Sequence, residues 1–210
     1  MIKYETIVLG DLETNCYMVW ESESKECLVI DPADDGVAIS EEIIGRQLKP
    51  MGILATHGHF DHLLGALDLK LIYQLPFYCS SRDEFLLKRQ KETASHFLKR
   101  PINSPNISHI DVDLNEIEGI KLGGELIQVI KTPGHTPGSV SFYCQDDGLI
   151  FTGDTIFDTG RGDTNHGYSS TTEIYKSIRS ILELPEETII LPGHGPATNI
   201  EKQAKIYKLP

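Results

Sequence analysis

Three imidazoles and a carboxylate fall within six residues, His57-Gly58-His59-Phe60-Asp61-His62, directly behind the apolar run Met51-Gly52-Ile53-Leu54-Ala55-Thr56. Imidazole is the commonest protein ligand for zinc and suits iron as well, and a carboxylate adds negative charge that helps to hold a second ion. A short β-type run ending in such a cluster sets its donors at the carboxyl end of a strand, where open α/β sheets place their sites. One histidine alone reads as a satisfied polar residue. Three, spaced by two and then three residues with an aspartate among them, read as a metal site.

Three further Gly-rich turns each follow a β-type run. Residues 125–131 lead into Thr132-Pro133-Gly134-His135-Thr136-Pro137-Gly138, residues 149–152 into Gly153-Asp154-Thr155, and residues 188–191 into Pro192-Gly193-His194-Gly195-Pro196. Any one of them is an ordinary polar loop. Together with the first cluster they supply seven candidate ligands: His57, His59, Asp61, His62, His135, Asp154 and His194. That is more than one tetrahedral ion takes and suits two ions about 3.5–4 Å apart. A water shared by such a pair ionises near neutral pH and can attack a carbonyl that a metal polarises. A thiolate leaves without protonation, so a thioester needs no dedicated general acid. Zinc is the first choice of metal, with iron or manganese as alternatives that the same donors accept. No G-x-S-x-G elbow and no GxGxxG turn offers a competing chemistry.

Periodicity outlines the elements that must position these turns. Residues 2–9, 16–20 and 27–31 read as strands. Ile39, Ile43, Ile44 and Leu48 predict a helix over 36–49 that Pro50 ends, and Leu63, Leu64, Leu67 and Leu71 predict another over 62–74. Ser81-Arg82-Asp83-Glu84 has a capping-box pattern, and Ser170-Thr171-Thr172-Glu173 caps a helix carrying Ile174, Ile178, Ile181 and Leu182. Strands at about 117–122, 126–131, 140–144 and 149–152 complete a second half. Runs of strands with helices between them in each half suggest an α+β fold, a four-layer αββα sandwich of two mixed sheets with outer helices.

With 210 residues, 40% hydrophobic and 24% charged, the chain has the means to bury one core, and 1–210 is expected to be a single domain. A formal charge of −12 argues against nucleic acid or an anionic membrane as partner and leaves a small molecule; oligomeric state is not readable. Cys16, Cys27, Cys79 and Cys144 are scattered without a C-x-x-C pair, so no disulfide framework is expected. The first residues lack a basic region followed by an apolar stretch, and the chain reads as cytoplasmic. His96 and His109 lie in a polar segment and read as surface residues, whereas His166 follows Asp154 on a Gly-rich loop at the expected mouth of the site.

From Asn15-Cys16-Tyr17 to Pro196 the chain resembles the metallo-β-lactamase-fold hydrolases, through the strings Thr56-His57-Gly58-His59-Phe60-Asp61-His62, Pro133-Gly134-His135-Thr136-Pro137-Gly138, Thr152-Gly153-Asp154-Thr155 and Pro192-Gly193-His194-Gly195-Pro196. Within that fold it looks most like the glyoxalase II (hydroxyacylglutathione hydrolase)-like branch in its short single-domain form. The resemblance implies the same αββα architecture, and a first metal held by His57, His59 and His135. It implies a second held by Asp61, His62 and His194, with Asp154 bridging both. Asp61 and Asp154 would be the catalytic residues around a hydroxide between the ions. Gly160 and Gly162 match two glycines of the family, but Asp163 stands where glutathione-specific members carry a basic residue, and Arg161 lies on the other side of Gly162. Only 195–210 follow His194, so the carboxy-terminal helical domain that contributes glutathione contacts is not expected. The expected function is therefore hydrolysis of a small thioester, of the hydroxyacylglutathione type, with Arg161, Asp163 and His166 at the substrate edge. Two other functions fit the same residues: a mononuclear iron persulfide dioxygenase, and a non-catalytic metal-binding or oxygen-sensing protein.

Overall fold

The computed structural model describes residues 1–107 and 109–207. Its first half opens with strands β1 (Ile2–Leu9), β2 (Thr14–Glu21) and β3 (Glu26–Ile30), then helix α1 (Gly36–Gly45) and strand β4 (Lys49–Leu54). After the histidine cluster come α2 (Ala66–Tyr73), β5 (Phe77–Cys79), the short helices α3 (Glu84–Leu87) and α4 (Gln90–Leu98), and β6 (Val112–Asp113). The second half runs β7 (Gly119–Leu122), β8 (Glu125–Lys131), β9 (Val140–Cys144), β10 (Leu149–Gly153), α5 (Thr171–Ile181), β11 (Ile189–Pro192), β12 (Thr198–Asn199) and α6 (Ile200–Tyr207). β1 to β6 form one six-stranded sheet in chain order, and β7 to β12 form the other. Both are mixed: β1–β2–β3 pair antiparallel and β3–β4–β5–β6 parallel, while only β10–β11 are parallel in the second sheet.

Side-chain alternation makes the layers. Tyr17, Val19, Leu28, Ile30 and Leu54 of the first sheet pack against Ile127, Val140, Phe142, Phe151 and Leu191 of the second. On the other face of β2, Cys16, Met18 and Trp20 join Val29 and Ile53 under Ile39 and Ile43 of α1 and Leu69 of α2. Tyr143, Ile150 and Ile190 are covered from outside by Ile174, Ile178 and Ile181 of α5 and Ile200 of α6. Each such side chain contributes about 1.5–3 kcal/mol by leaving water. The result is the αββα sandwich of the metallo-β-lactamase fold. All four cysteines are buried and unpaired, and no helix among the described residues is long and apolar enough to cross a membrane.

Three local expectations need correction. The helix read over 36–49 stops at Gly45, because Gln47 turns into the left-handed region and Leu48 begins the approach to the sheet. Pro50 sits inside β4, where the register with β3 shifts and the ladder can spare its missing N–H. The helix read from His62 starts at Ala66. The chain just after His62 is tied instead to the end of β3, with Ala33 N–H donating to His62 O at 3.0 Å and Gly65 N–H to Ala33 O at 2.8 Å. Finally, Ser80 rather than Ser81 caps the turn before α3, and Asp83 caps nothing, because its carboxylate is engaged elsewhere.

Candidate metal centre

The two sheets deliver their donors to one end of the sandwich. His57, His59, Asp61 and His62 follow β4, while His135, Asp154 and His194 lie beyond β8, β10 and β11. Each of the five histidines has one ring nitrogen tied to a protein oxygen. His57 Nδ1 meets Thr56 Oγ1 at 3.0 Å, His62 Nδ1 meets Asp31 Oδ2 at 2.9 Å, and His135 Nδ1 meets the Asp163 carbonyl at 2.8 Å. His194 Nδ1 meets the Leu12 carbonyl at 3.0 Å, and His59 Nε2 meets the Tyr168 hydroxyl at 2.9 Å. A carbonyl or carboxylate can only accept, so His62, His135 and His194 carry a proton on Nδ1 and turn Nε2 toward the cluster, where an ion would take it as a ligand. His57 follows the same logic, since Thr56 Oγ1 donates its own proton to Asp31 Oδ2 at 2.6 Å.

The remaining nitrogens converge. His59 Nδ1 lies 3.1 Å from His57 Nε2 and 2.9 Å from His135 Nε2. His57 Nε2 and His135 Nε2 both aim at His59 Nδ1, which can donate to at most one of them, so the trio is better met by a cation between the three nitrogens. A tetrahedral ion with metal–nitrogen bonds of about 2.05 Å spaces its donors about 3.3 Å apart. Beside this trio, Asp61 Oδ2 stands 3.5 Å from His62 Nε2 and 3.3 Å from His194 Nε2. Asp154 faces both groups: Oδ2 is 3.5 Å from His135 Nε2, and Oδ1 is 3.5 Å from His62 Nε2 and 3.8 Å from His194 Nε2. His62 Nε2 and Asp154 Oδ1 are buried and have no hydrogen-bond partner. A buried donor set left unsatisfied is costly unless something coordinates it, so the residues fit two divalent ions.

Glycines let the turns close this tightly. Gly153 holds φ +49° beneath Asp154, and a Cβ there would sit 2.3 Å from Thr56 Oγ1. A Cβ on Gly193 would sit 2.3 Å from Asp154 Oδ1 and 2.7 Å from His62 Cε1. The beginning of β2 holds the same corner: Asn15 Nδ2 donates to the Pro192 and Gly195 carbonyls, and the Tyr17 hydroxyl donates to Pro192 O at 2.7 Å.

Electrostatics divide the cluster. Burial, reinforced by neighbouring imidazoles, pushes the His57 pKa far down and that of His59 to about 3, so both are neutral donors. Burial acts the same way on His62, but Asp61, Asp31 and Asp154 outweigh it and lift its pKa to about 10. His194 is raised as well, because Asp61 and Asp154 overcome its burial. Asp61 is itself held well below the ordinary carboxylate range by His62 and His194, against its own desolvation. The second group of donors therefore attracts positive charge strongly.

A cavity of about 620 Å³ opens over the cluster, lined by Asp163, His166 and Tyr168 and by residues of α3 and α4. His166 stacks on Tyr168, with centroids 5.2 Å apart, and lies 5.5 Å from the His59 ring. Arg161, expected at the substrate edge, is placed elsewhere. Its guanidinium bonds the Gly162 carbonyl and lies 5.1 Å over the Tyr175 ring of α5, and it does not line the cavity. His96 and His109 are exposed and remote from the cluster.

Sequence reasoning missed three polar residues. Asp31 accepts from Thr56 N, Thr56 Oγ1 and His62. Tyr168 orients His59. Asp83 accepts from Gly58 N at 2.9 Å, Gly138 N at 2.7 Å and Thr136 Oγ1 at 2.6 Å, clamping the loops of His57 and His135 together. Burial lifts the Asp83 pKa despite those donors. The one usable signal was at Asp31, an aspartate ending an apolar strand.

Two mixed sheets packed face to face, with His and Asp donors gathered at one end, define the metallo-β-lactamase class. Residues 9–194 match the sequence model of the Metallo-beta-lactamase superfamily, and the chain belongs to that superfamily. It is 32% identical over 206 residues to the hydroxyacylglutathione hydrolase GloC of Haemophilus influenzae, covering 96% of this chain and 94% of that protein. It is 33% identical to the BLEG-1 B3 metallo-beta-lactamase, whose crystal structure superposes with a TM-score of 0.89 over 97% of both chains. It is 31% identical to TTHA1623 in a di-iron-bound form, with a TM-score of 0.84 over 96% of this chain and 97% of that one.

Proposed function

We propose that the protein is a cytoplasmic, dinuclear metal-dependent hydrolase of small thioesters. The carrying observation is the pair of orphaned atoms, His62 Nε2 and Asp154 Oδ1, inside a set of five imidazoles whose other nitrogens are all fixed. In this reading His57, His59 and His135 would hold one ion and Asp61, His62 and His194 the other, with Asp154 facing both groups. When bound, such ions supply a water of lowered pKa and a Lewis acid for the carbonyl oxygen. Asp61 stays ionised across neutral pH and accepts a hydrogen bond from the attacking water, fixing a lone pair toward the acyl carbon. Tyr168 and Thr56 keep His59 and His57 from rotating. The leaving thiolate departs without a proton. The similarity to GloC, named as a hydroxyacylglutathione hydrolase, supports the thioester, and the net charge of −12 supports a small-molecule substrate over nucleic acid or an anionic membrane.

Elemental analysis of protein purified without added metal, paired with hydrolysis of S-lactoylglutathione, tests this. About two ions per chain and turnover that chelation abolishes are expected. One iron with sulfite formed from a glutathione persulfide, cephalosporin cleavage without thioester cleavage, or bound metal with no turnover would each replace this reading.

A further inference from the structure

The α3–α4 wall of the cavity has a composition that metal chemistry does not explain. Phe85 and Phe97 line the cavity yet remain 40% and 57% exposed. Phe97 stacks on Phe60 with centroids 5.8 Å apart, and Phe85 meets Tyr168 edge-on at 5.2 Å, so the rings are held in place. Fixed aromatic surface inside a concavity is hydrated at a cost that an apolar ligand removes. Between these rings in the chain lies Arg89, the only lysine or arginine on the cavity wall among the described residues. Arg46 is paired with Glu5 and Glu42 and Arg100 with Asp34, whereas Arg89 has no carboxylate partner among the described residues. Asp163 also lines the cavity, and its charge would repel an anion near it. The lining thus offers one cation close in the chain to two aromatic faces, and an acid near which an anion is disfavoured.

We propose that this wall is the acyl subsite and that it selects an acyl group with an apolar stem and a carboxylate end, the stem against Phe85 and Phe97 and the carboxylate on Arg89. The inference rests on the thioester reading and adds to it the class of acyl group. An apolar stem and an anionic end within one stretch of chain are best met by one part of the substrate, with its anionic end at Arg89 rather than beside Asp163. A guanidinium meets a carboxylate with two parallel hydrogen bonds, which an ammonium cannot reproduce in full.

Three N-acetylcysteamine thioesters test it on the metal-loaded protein: acetyl, hexanoyl and adipoyl. Wild type should favour hexanoyl over acetyl in kcat/KM by about tenfold, a preference that F85A/F97A abolishes. Arg89→Ala should lower kcat/KM for the adipoyl ester by about tenfold, chiefly through KM, and leave the hexanoyl ester within about twofold. Arg89→Lys should recover only part of the adipoyl activity, since it keeps the charge but not the second hydrogen bond. Calorimetric binding of the corresponding non-hydrolysable thioethers should show the same ranking without turnover. Equal handling of acetyl and hexanoyl, or an equal Arg89→Ala loss on neutral and anionic esters, overturns the subsite. Wild type that cleaves none of the esters while binding the anionic thioether through Arg89 overturns the thioester reading and keeps the subsite.

Discussion

His62 Nε2 and Asp154 Oδ1 face each other at 3.5 Å, both buried and both without a hydrogen-bond partner, one from each half of the sandwich. With Asp61 and Asp31 also close, His62 holds a proton up to a pKa of about 10 in the metal-free protein. Metal at this position must displace that proton. Apparent metal affinity should therefore rise with pH, by about tenfold per unit while His62 remains protonated in the free state. Calorimetry in buffers of different ionisation enthalpy should count about one proton released per ion at this group. Affinity that is flat between pH 6 and 8 would count against a protonated His62.

Asp31 acts at one remove. It bonds His62 Nδ1 and Thr56, and Thr56 in turn bonds His57, so one carboxylate orients imidazoles in both halves of the centre. Asp31→Ala should weaken metal binding by about 10–100-fold while the fold persists, as judged by circular dichroism and metal titration. Unchanged metal affinity would reduce Asp31 to a loop brace.

Asp83 is fully buried and is the shared acceptor for Gly58, Gly138 and Thr136. Asp83→Ala leaves those donors without a partner and should cost about 3 kcal/mol or more of stability. Denaturant unfolding of the variant checks this. Asp83→Asn should recover only part of the loss, because its amide NH2 meets donors where an acceptor is needed.

His166 lines the cavity, is held by stacking on Tyr168, and stands outside the seven-residue donor set. His166→Ala should lower kcat/KM for a thioester by about threefold to tenfold and leave metal content unchanged. Loss of metal in this variant would place His166 among the ligands.

How much of this was readable in the chain depends on how local each signal is. The donors stood out because each follows an apolar run and sits in a Gly-rich turn, so type, spacing and position coincide at His57, His135, Asp154 and His194. Asp31, Tyr168 and Asp83 gave no comparable signal. Each is a single polar residue whose partner lies far along the chain, as Asp31 does from Thr56 and Tyr168 from His59. The direction of Arg161 is not set locally, because a loop residue beside a site can turn either way, and here its guanidinium lies over the Tyr175 ring of α5. Of the α3–α4 wall only a helix opening at Ser81-Arg82-Asp83-Glu84 was legible, because both helices are short. Helix ends near Gly45 and Ala66 were set by tertiary ties to the sheet rather than by propensity.

The donors gathered from both sheets also bear on folding kinetics. His62 and His194 can approach only after nearly the whole chain has collapsed, since the elements that carry them sit in different sheets and the connecting loops must close first. The centre is therefore a late-forming structure, absent from a transition state in which the sheets are still docking. Ions held there act as a latch on the finished molecule. Chelation should speed unfolding while leaving the refolding rate nearly unchanged, an asymmetry that stopped-flow chevrons would resolve.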